Sequence, residues 1–260
     1  MRTIAVIPAR MASTRFPNKP LADIHGIPLV LHCYFRTNFA QSIDEVFIAT
    51  CDTEIIETAH QFGAEGILTS SEHLNAVDRT AEAAAILDSI GGSPIDIVVL
   101  VQGDEPLLEP NELDHMVSTL NANPGIDVVN LMVPFENQAD FMDPNNPKVV
   151  TDSMDNAMYM SREPIPTAWR SWNSSIANMQ TGLFAFRPSA LEWFTSTPRT
   201  PLEEVEHIDM LRLLYHGRQL KMLKGAHSTV GVDTLEDLLR ARDLLLNDAL
   251  FQEYKYRGLS

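Results

Sequence analysis

Residues 95–106 read IDIVVLVQGDEP. Ile95 to Gln102 is the strongest strand signal in the chain, because an apolar, β-branched run of this length needs cover on both faces. A glycine and two acids, Gly103, Asp104 and Glu105, follow it at once. Acids beyond a strand end suit a hard divalent cation, which takes one or two protein carboxylates plus phosphate oxygens and water. A solvated turn explains these residues equally well by themselves, and the basic loop at the same sheet edge favours the metal.

Outward from this strand the pattern alternates. Thr3 to Pro8 (TIAVIP), Glu45 to Thr50 (EVFIAT), Gly66 to Leu68 and Asp127 to Val133 read as further strands. Helical periodicity fills the gaps at Ile27 to Ala40, Thr53 to Phe62, Asp78 to Ile90 and Asn111 to Leu120. Alternation of this kind predicts an α/β fold with a mostly parallel sheet. Ligands then lie beyond the carboxyl ends of the strands. The second half is less regular. Lys148 to Asp152 and Ala157 to Ser161 read as a hairpin, Leu183 to Phe186 and Gln219 to Leu223 as strands. Leu202 to Tyr215 and Leu235 to Leu246 read as helices. One domain over 1–260, with an inserted lobe near 150–216, is the expected organisation.

The loop after Pro8 is ARMASTRFPNKP. Four cations, Arg2, Arg10, Arg15 and Lys19, precede the first acid, Asp23, whereas Arg79 is the one Lys or Arg between Thr37 and Pro147. The loop joins small residues, on which backbone N–H groups cradle phosphate, to guanidinium forks. It is neither a GxxxxGK[ST] loop nor a GxGxxG fingerprint. A third segment, Gly231-Val232-Asp233-Thr234, precedes a helix. Asp233 is either a cap or a second metal carboxylate.

Composition excludes several classes. Nineteen Lys and Arg against 35 Asp and Glu give a net charge of −16 in 260 residues. So acidic a surface neither displaces counterions from nucleic acid nor approaches anionic lipid. Two cysteines, Cys33 and Cys51, build no disulfide framework and read as packing residues. The eight histidines show no metal-ligand spacing and read as structural or surface residues. No apolar run reaches the roughly 18 residues of a membrane span, and the opening MRTIAVIPAR lacks a signal-peptide core. The expected compartment is the cytoplasm.

In order along the chain, IPARMASTRFPNKPL, VQGDEPLL, NPKVV, MSREPIP, GLFAFR, PLEEVEHIDMLRLLYHG and GVDTLEDL resemble the sugar-acid cytidylyltransferases. The likeness is strongest to the 3-deoxy-manno-octulosonate (KDO) cytidylyltransferase family. That resemblance implies a Rossmann-like nucleotidyltransferase fold of the glycosyltransferase-A type, with an inserted sugar-binding and dimerisation lobe. It implies a dimeric Mg²⁺ enzyme joining CTP to KDO or a related 2-keto-3-deoxy sugar acid, with release of pyrophosphate. By position, Ala9, Arg10, Ser13, Arg15 and Lys19 would hold the triphosphate, with Arg10, Arg15 and Lys19 acting in catalysis. Asn75, Arg79, Gln102 and Asp104 would contact the nucleotide, Gln102 at the base. Asp104 and Asp233 would bind Mg²⁺. Arg162, Gln180, Phe184 and Asp209 would face the acceptor.

The chain departs from the family pattern in places. Asn75-Ala76-Val77 stand where relatives read SGT, Gln180 for a His, Phe184 and Phe186 for two Tyr, and Asp209-Met210 for Glu-Gln. These changes imply a shifted acceptor preference. Two further readings remain beside the first: transfer to another acidic acceptor, such as a nonulosonate or phosphonate, and a non-catalytic sugar-nucleotide binder. Pyrophosphate release across a panel of acceptors separates all three.

Overall fold

In the computed structural model the Thr3–Pro8 strand runs parallel to Ile97–Leu100 on one side and Glu45–Thr50 on the other, with Gly66–Leu68 beyond. Residues 1–12, 16–73, 75–225 and 231–256 are described. The chain divides into two compact units, Met1–Asp114 with Thr229–Ser260, and His115–Ser228.

In the first unit, burial on both faces explains the continuous apolar strands. Ile4, Ala5, Val6, Ile7, Ile97, Val98 and Val99 are all fully buried. In register, Pro8 lies opposite Ala49, Val6 opposite Leu100 and Thr50 opposite Leu68. The loops leaving these strands therefore emerge along one carboxyl edge. Helices Leu29–Thr37, Thr53–Gln61, Ala76–Ser89 and Leu235–Leu245 belong to the same unit.

The helix expected from Ile27 to Ala40 is shorter. Ile24 and Ile27 pair across a turn at His25 and Gly26, with φ of 55° and 86°. Two successive positive φ values are those of a tight hairpin, which takes Ile27 and Pro28 out of the helix. A final helix, Ala249–Tyr254, was not read from the sequence. Asp248 caps it by accepting from Phe251 N–H at 2.6 Å and also receives the buried Arg36 at 2.7 Å. Phe251 and Tyr254 are buried.

The second unit is built on Val128–Pro134, antiparallel to Asn178–Phe186 and parallel to Lys221–Lys224. Lys148–Thr151 and Ala157–Ser161 form the expected antiparallel hairpin. The strand read as Leu183 to Phe186 starts five residues earlier, at Asn178, and is irregular between Gln180 and Phe184. The single helix expected over Leu202 to Tyr215 is two, Pro201–Glu206 and Leu211–Tyr215. His207 is left-handed, φ 52° and ψ 44°, and ends the first of them. Arg212 folds back from the second helix onto Glu203 of the first.

Candidate active site

Three chemistry-bearing segments of the first unit meet at Lys19. Its ammonium lies 2.6 Å from Asp104 Oδ2 and 3.1 Å from Asp233 Oδ1. Local backbone explains each position. Asn18 is left-handed, φ 57°, and turns the chain into the short 3-10 helix Lys19–Leu21, whose Pro20 is buried. Gly103 lets Asp104 follow the strand closely, because a Cβ there would meet Pro8 O at 3.2 Å. Val232 N–H donates to Asp104 O at 2.9 Å and ties the two acidic segments together. Thr234, not Asp233, caps the helix that follows, in a capping box with Asp237.

Burial pulls the Lys19 pKa down, but the neighbouring Asp104 and Asp233 carboxylates outweigh it and hold the ammonium above its ordinary range. Two carboxylate oxygens from separate segments face one positive charge, an all-oxygen donor set that suits Mg²⁺. Among the described residues, no group of three or more His, Cys, Asp or Glu gathers to hold a metal.

Around this centre, Ala9 is buried and its N–H donates to Ala49 O at 2.9 Å, which extends the strand ladder. Arg10 is exposed and Gln102 half-buried. Ser13 and Arg15 lie outside the described residues. Asn75 caps the Ala76–Ser89 helix: its Oδ1 accepts from Asp78 N–H and its amide donates to Asp78 Oδ2, both at 2.8 Å. Arg79 is 3% exposed and donates to Thr69 Oγ1 at 2.5 Å and Ser70 O at 3.2 Å. Arg79 thus ties Thr69 and Ser70 to the Ala76–Ser89 helix that Asn75 caps.

In the second unit Arg162 is held by main chain. Its Nε donates to Glu206 O at 2.7 Å, NH1 to Pro144 O at 2.9 Å and NH2 to His207 O at 3.2 Å. Of the five N–H bonds of a guanidinium, three are engaged in this way. Two residues that sequence reasoning missed organise this lobe. Glu206 accepts from Ser161 Oγ at 2.7 Å, Arg162 N–H at 2.8 Å and Tyr159 OH at 3.3 Å. The fully buried Lys148 donates to Asp143 O at 2.6 Å and Arg162 O at 2.8 Å. Burial lowers its pKa, against the pull of Asp143 and Glu163. No local pattern marks either residue, since their partners are distant in sequence or are carbonyls.

Residues 4–222 match the cytidylyltransferase family. The chain belongs to that family. It is 39% identical over 255 residues to the 3-deoxy-manno-octulosonate cytidylyltransferase of Geobacter sulfurreducens, covering 94% of this chain and 100% of that one. The enzyme of the same name from Flavobacterium johnsoniae is 40% identical over 248 residues, covering 94% and 99%. The solved structure of CMP:2-keto-3-deoxy-manno-octonic acid synthetase complexed with CTP superposes with a TM-score of 0.85 at 30% identity, covering 95% and 99%. The protein is thus a nucleotidyltransferase, a cytidylyltransferase of α/β fold with a mostly parallel sheet flanked by helices.

Set against the family pattern, the departures have different surroundings. Phe184 is 5% exposed and stacks on Phe186, with ring centroids 5.8 Å apart. Met210 is in the core at 1%. Gln180 and Asp209 are half-buried, and the Oε1 of Gln180 is buried with no hydrogen-bond partner among the described residues. Phe184, Phe186 and Met210 are therefore packed, while Gln180 and Asp209 stay partly accessible. No helix among the described residues is long and apolar enough to cross a membrane.

Proposed function

We propose that this cytidylyltransferase transfers CMP from CTP to the anomeric hydroxyl of KDO or a closely related 2-keto-3-deoxy sugar acid. The observation that carries the reading is the convergence of Lys19, Asp104 and Asp233 at the strand ends. The hydroxyl oxygen bonds to the α-phosphorus, the bond to the bridging oxygen breaks, and pyrophosphate leaves with those electrons. Negative charge gathers on phosphate oxygens, where fixed cations stabilise it most. Arg10, Ser13 and Arg15 bind the triphosphate, and the small residues of their loop allow close approach. Lys19, kept as an ammonium, supplies a charge that can pass from the carboxylates to the phosphates. Asp104 and Asp233 would hold Mg²⁺, which when bound supplies charge neutralisation and acidifies the attacking hydroxyl.

Gln102 presents an amide to the pyrimidine edge, and Asn75 and Arg79 shape the neighbouring loop. The lobe of residues 150–216 carries the acceptor side through Arg162, Gln180, Phe184 and Asp209, and a homodimer forms on it. The relatives named for 3-deoxy-manno-octulosonate support this acceptor. The enzyme works in the cytoplasm, where CTP is made, and serves lipopolysaccharide synthesis.

Pyrophosphate release from CTP and Mg²⁺, measured across a panel of sugar acids, tests the reading. Release with KDO and not with neutral sugars is the expected result, and no release with any acid would sink it. A second reading, transfer to a different acidic acceptor, draws on Phe184 and Met210, where packed apolar groups replace hydrogen-bonding ones. A nonulosonate outpacing KDO in the same panel would favour it.

A further inference from the structure

We infer that Asp52 is a positioning residue for the triphosphate loop, acting through the backbone of Met11. The inference rests on the reading of residues 9–19 as the triphosphate cradle. Asp52 precedes the Thr53–Gln61 helix in an extended conformation, φ −100° and ψ 113°, the ordinary place for a capping carboxylate. Its side chain makes no capping hydrogen bond to that helix. Instead Oδ2 accepts the N–H of Met11 at 2.8 Å. Asp52 is itself anchored, because its N–H donates to Oγ1 of the fully buried Thr50 at 3.0 Å. Cys51 Sγ approaches the same Oδ2 at 3.8 Å.

The bond does what the sheet no longer can. Ladder pairing between the Thr3–Pro8 and Glu45–Thr50 strands ends with Ala9 N–H on Ala49 O at 2.9 Å. The contact from Met11 to Asp52 continues that attachment two residues further, into the loop. It fixes the direction in which Arg10 and Met11 leave the sheet. Electrostatics alone would disfavour a carboxylate here, because the loop's sequence carries Arg10, Arg15 and Lys19. A negative group at the foot of that loop weakens anion attraction. The geometry it imposes is what Asp52 contributes.

Asp52→Ala removes both oxygen and charge, whereas Asp52→Asn keeps an acceptor for Met11 N–H and removes the charge. Steady-state kinetics on the full chain would be read beside inhibition by inorganic tripolyphosphate and by CMP, and thermal unfolding would confirm that each variant folds. In Asp52→Ala the KM for CTP and the Ki for tripolyphosphate should both rise about tenfold, the effect of one lost hydrogen bond to a charged group. The KM for the acceptor, the Ki for CMP and kcat should each change less than about threefold. Asp52→Asn should restore the CTP and tripolyphosphate values to within about threefold of the native enzyme. An unchanged KM for CTP in folded Asp52→Ala would overturn the inference. So would equal weakening of CMP and tripolyphosphate, which marks a general structural loss. Were Asp52→Ala not to fold, a tenfold-weakened CTP in folded Asp52→Asn would overturn it, and native-like CTP kinetics there would support it. Tripolyphosphate failing to compete with CTP in the native enzyme would strike at the triphosphate-loop reading instead.

Discussion

Arg212 lies flat against Glu203 in two parallel contacts, Nε to Oε2 at 2.9 Å and NH2 to Oε1 at 2.5 Å, with both side chains 3% exposed. NH1 donates to Phe194 O at 2.7 Å and Thr197 O at 3.1 Å, and the guanidinium sits 4.1 Å from the Phe194 ring centroid. Glu203 is also the third helical residue after the Thr200 cap and closes a capping box with it. One pair therefore joins the Pro188–Ser196, Pro201–Glu206 and Leu211–Tyr215 helices of the second unit.

Breaking that pair leaves a buried charge without its partner, which costs about 3–5 kcal/mol. Arg212→Met and Glu203→Gln should each lower stability on that scale, measured by urea denaturation. Glu203→Gln should also loosen the start of the Pro201–Glu206 helix. A change below about 1 kcal/mol in both variants would show that water replaces the bond.

At the centre of the first unit, Asp104→Asn and Asp233→Asn should each cut turnover by about two orders of magnitude or more, the scale of losing a transition-state electrostatic partner. Both should also weaken the stabilisation that added Mg²⁺ gives in thermal unfolding. Full turnover in both variants, in the presence of a chelator, would remove the metal from the reaction. Lys19→Met should enlarge the Mg²⁺-induced shift in Tm, because two facing carboxylates then lack their resident cation.

His32 carries a pH prediction. It is fully buried, its Nε2 is 3.0 Å from Ile24 O and its Nδ1 2.9 Å from Tyr254 OH. A carbonyl only accepts, so Nε2 carries the proton and Nδ1 accepts from the tyrosine. Burial, helped by the charges of His25 and Arg36 against the pull of the Ile24 and Ile27 carbonyls, lowers its pKa from 6.5 to about 4. The unfolded chain takes up a proton below pH 6.5 and the folded protein does not until about 4. Stability from this group is thus whole above 6.5 and falls as pH drops through that window, by about 3 kcal/mol at most. Denaturant midpoints between pH 7 and 5.5 should decline in the native protein and decline less in His32→Asn. Equal slopes would assign the loss to other groups.

Which of these features the sequence shows depends on how local their causes are. Strands such as Thr3–Pro8 and Ile97–Leu100 are legible because burial on both faces writes an unbroken apolar run. Asp104 is legible because two acids follow that run at once, whereas Asp233 reads in sequence as a cap or a ligand until the structure gives the cap to Thr234. The break at His207 is different. The residues around it have helical periodicity, and the interruption is stabilised by Arg212 reaching Glu203 across the turn, a tertiary cause. Asp52 stands at the N-cap position of its helix, and its bond to Met11, 41 positions away, leaves no mark in the local sequence. Arg162 looks like an arginine free to grip a carboxylate, because its carbonyl partners leave no trace in side-chain chemistry.

The arrangement of Arg162 separates charge from shape in a testable way. Lysine keeps the charge but is a single ammonium on a flexible stem and cannot reproduce a planar fork onto the carbonyls of Pro144, Glu206 and His207. If Arg162 positions the lobe, Arg162→Lys should resemble Arg162→Ala. Both should lose about 1–3 kcal/mol of stability, as carbonyls lose charge-assisted donors. Both should raise the KM for the sugar acid while the KM for CTP stays near the native value. If Arg162 serves chiefly as a charge for the acceptor carboxylate, Arg162→Lys should keep most of the acceptor affinity and Arg162→Ala should not. Three engaged N–H bonds, together with Lys148 and Glu206 clamping the Arg162 main chain, favour the first outcome. Acceptor titrations at saturating CTP, run beside urea denaturation of both variants, decide between them. Native stability in Arg162→Lys together with native acceptor KM would show that the three carbonyl contacts are incidental to the lobe.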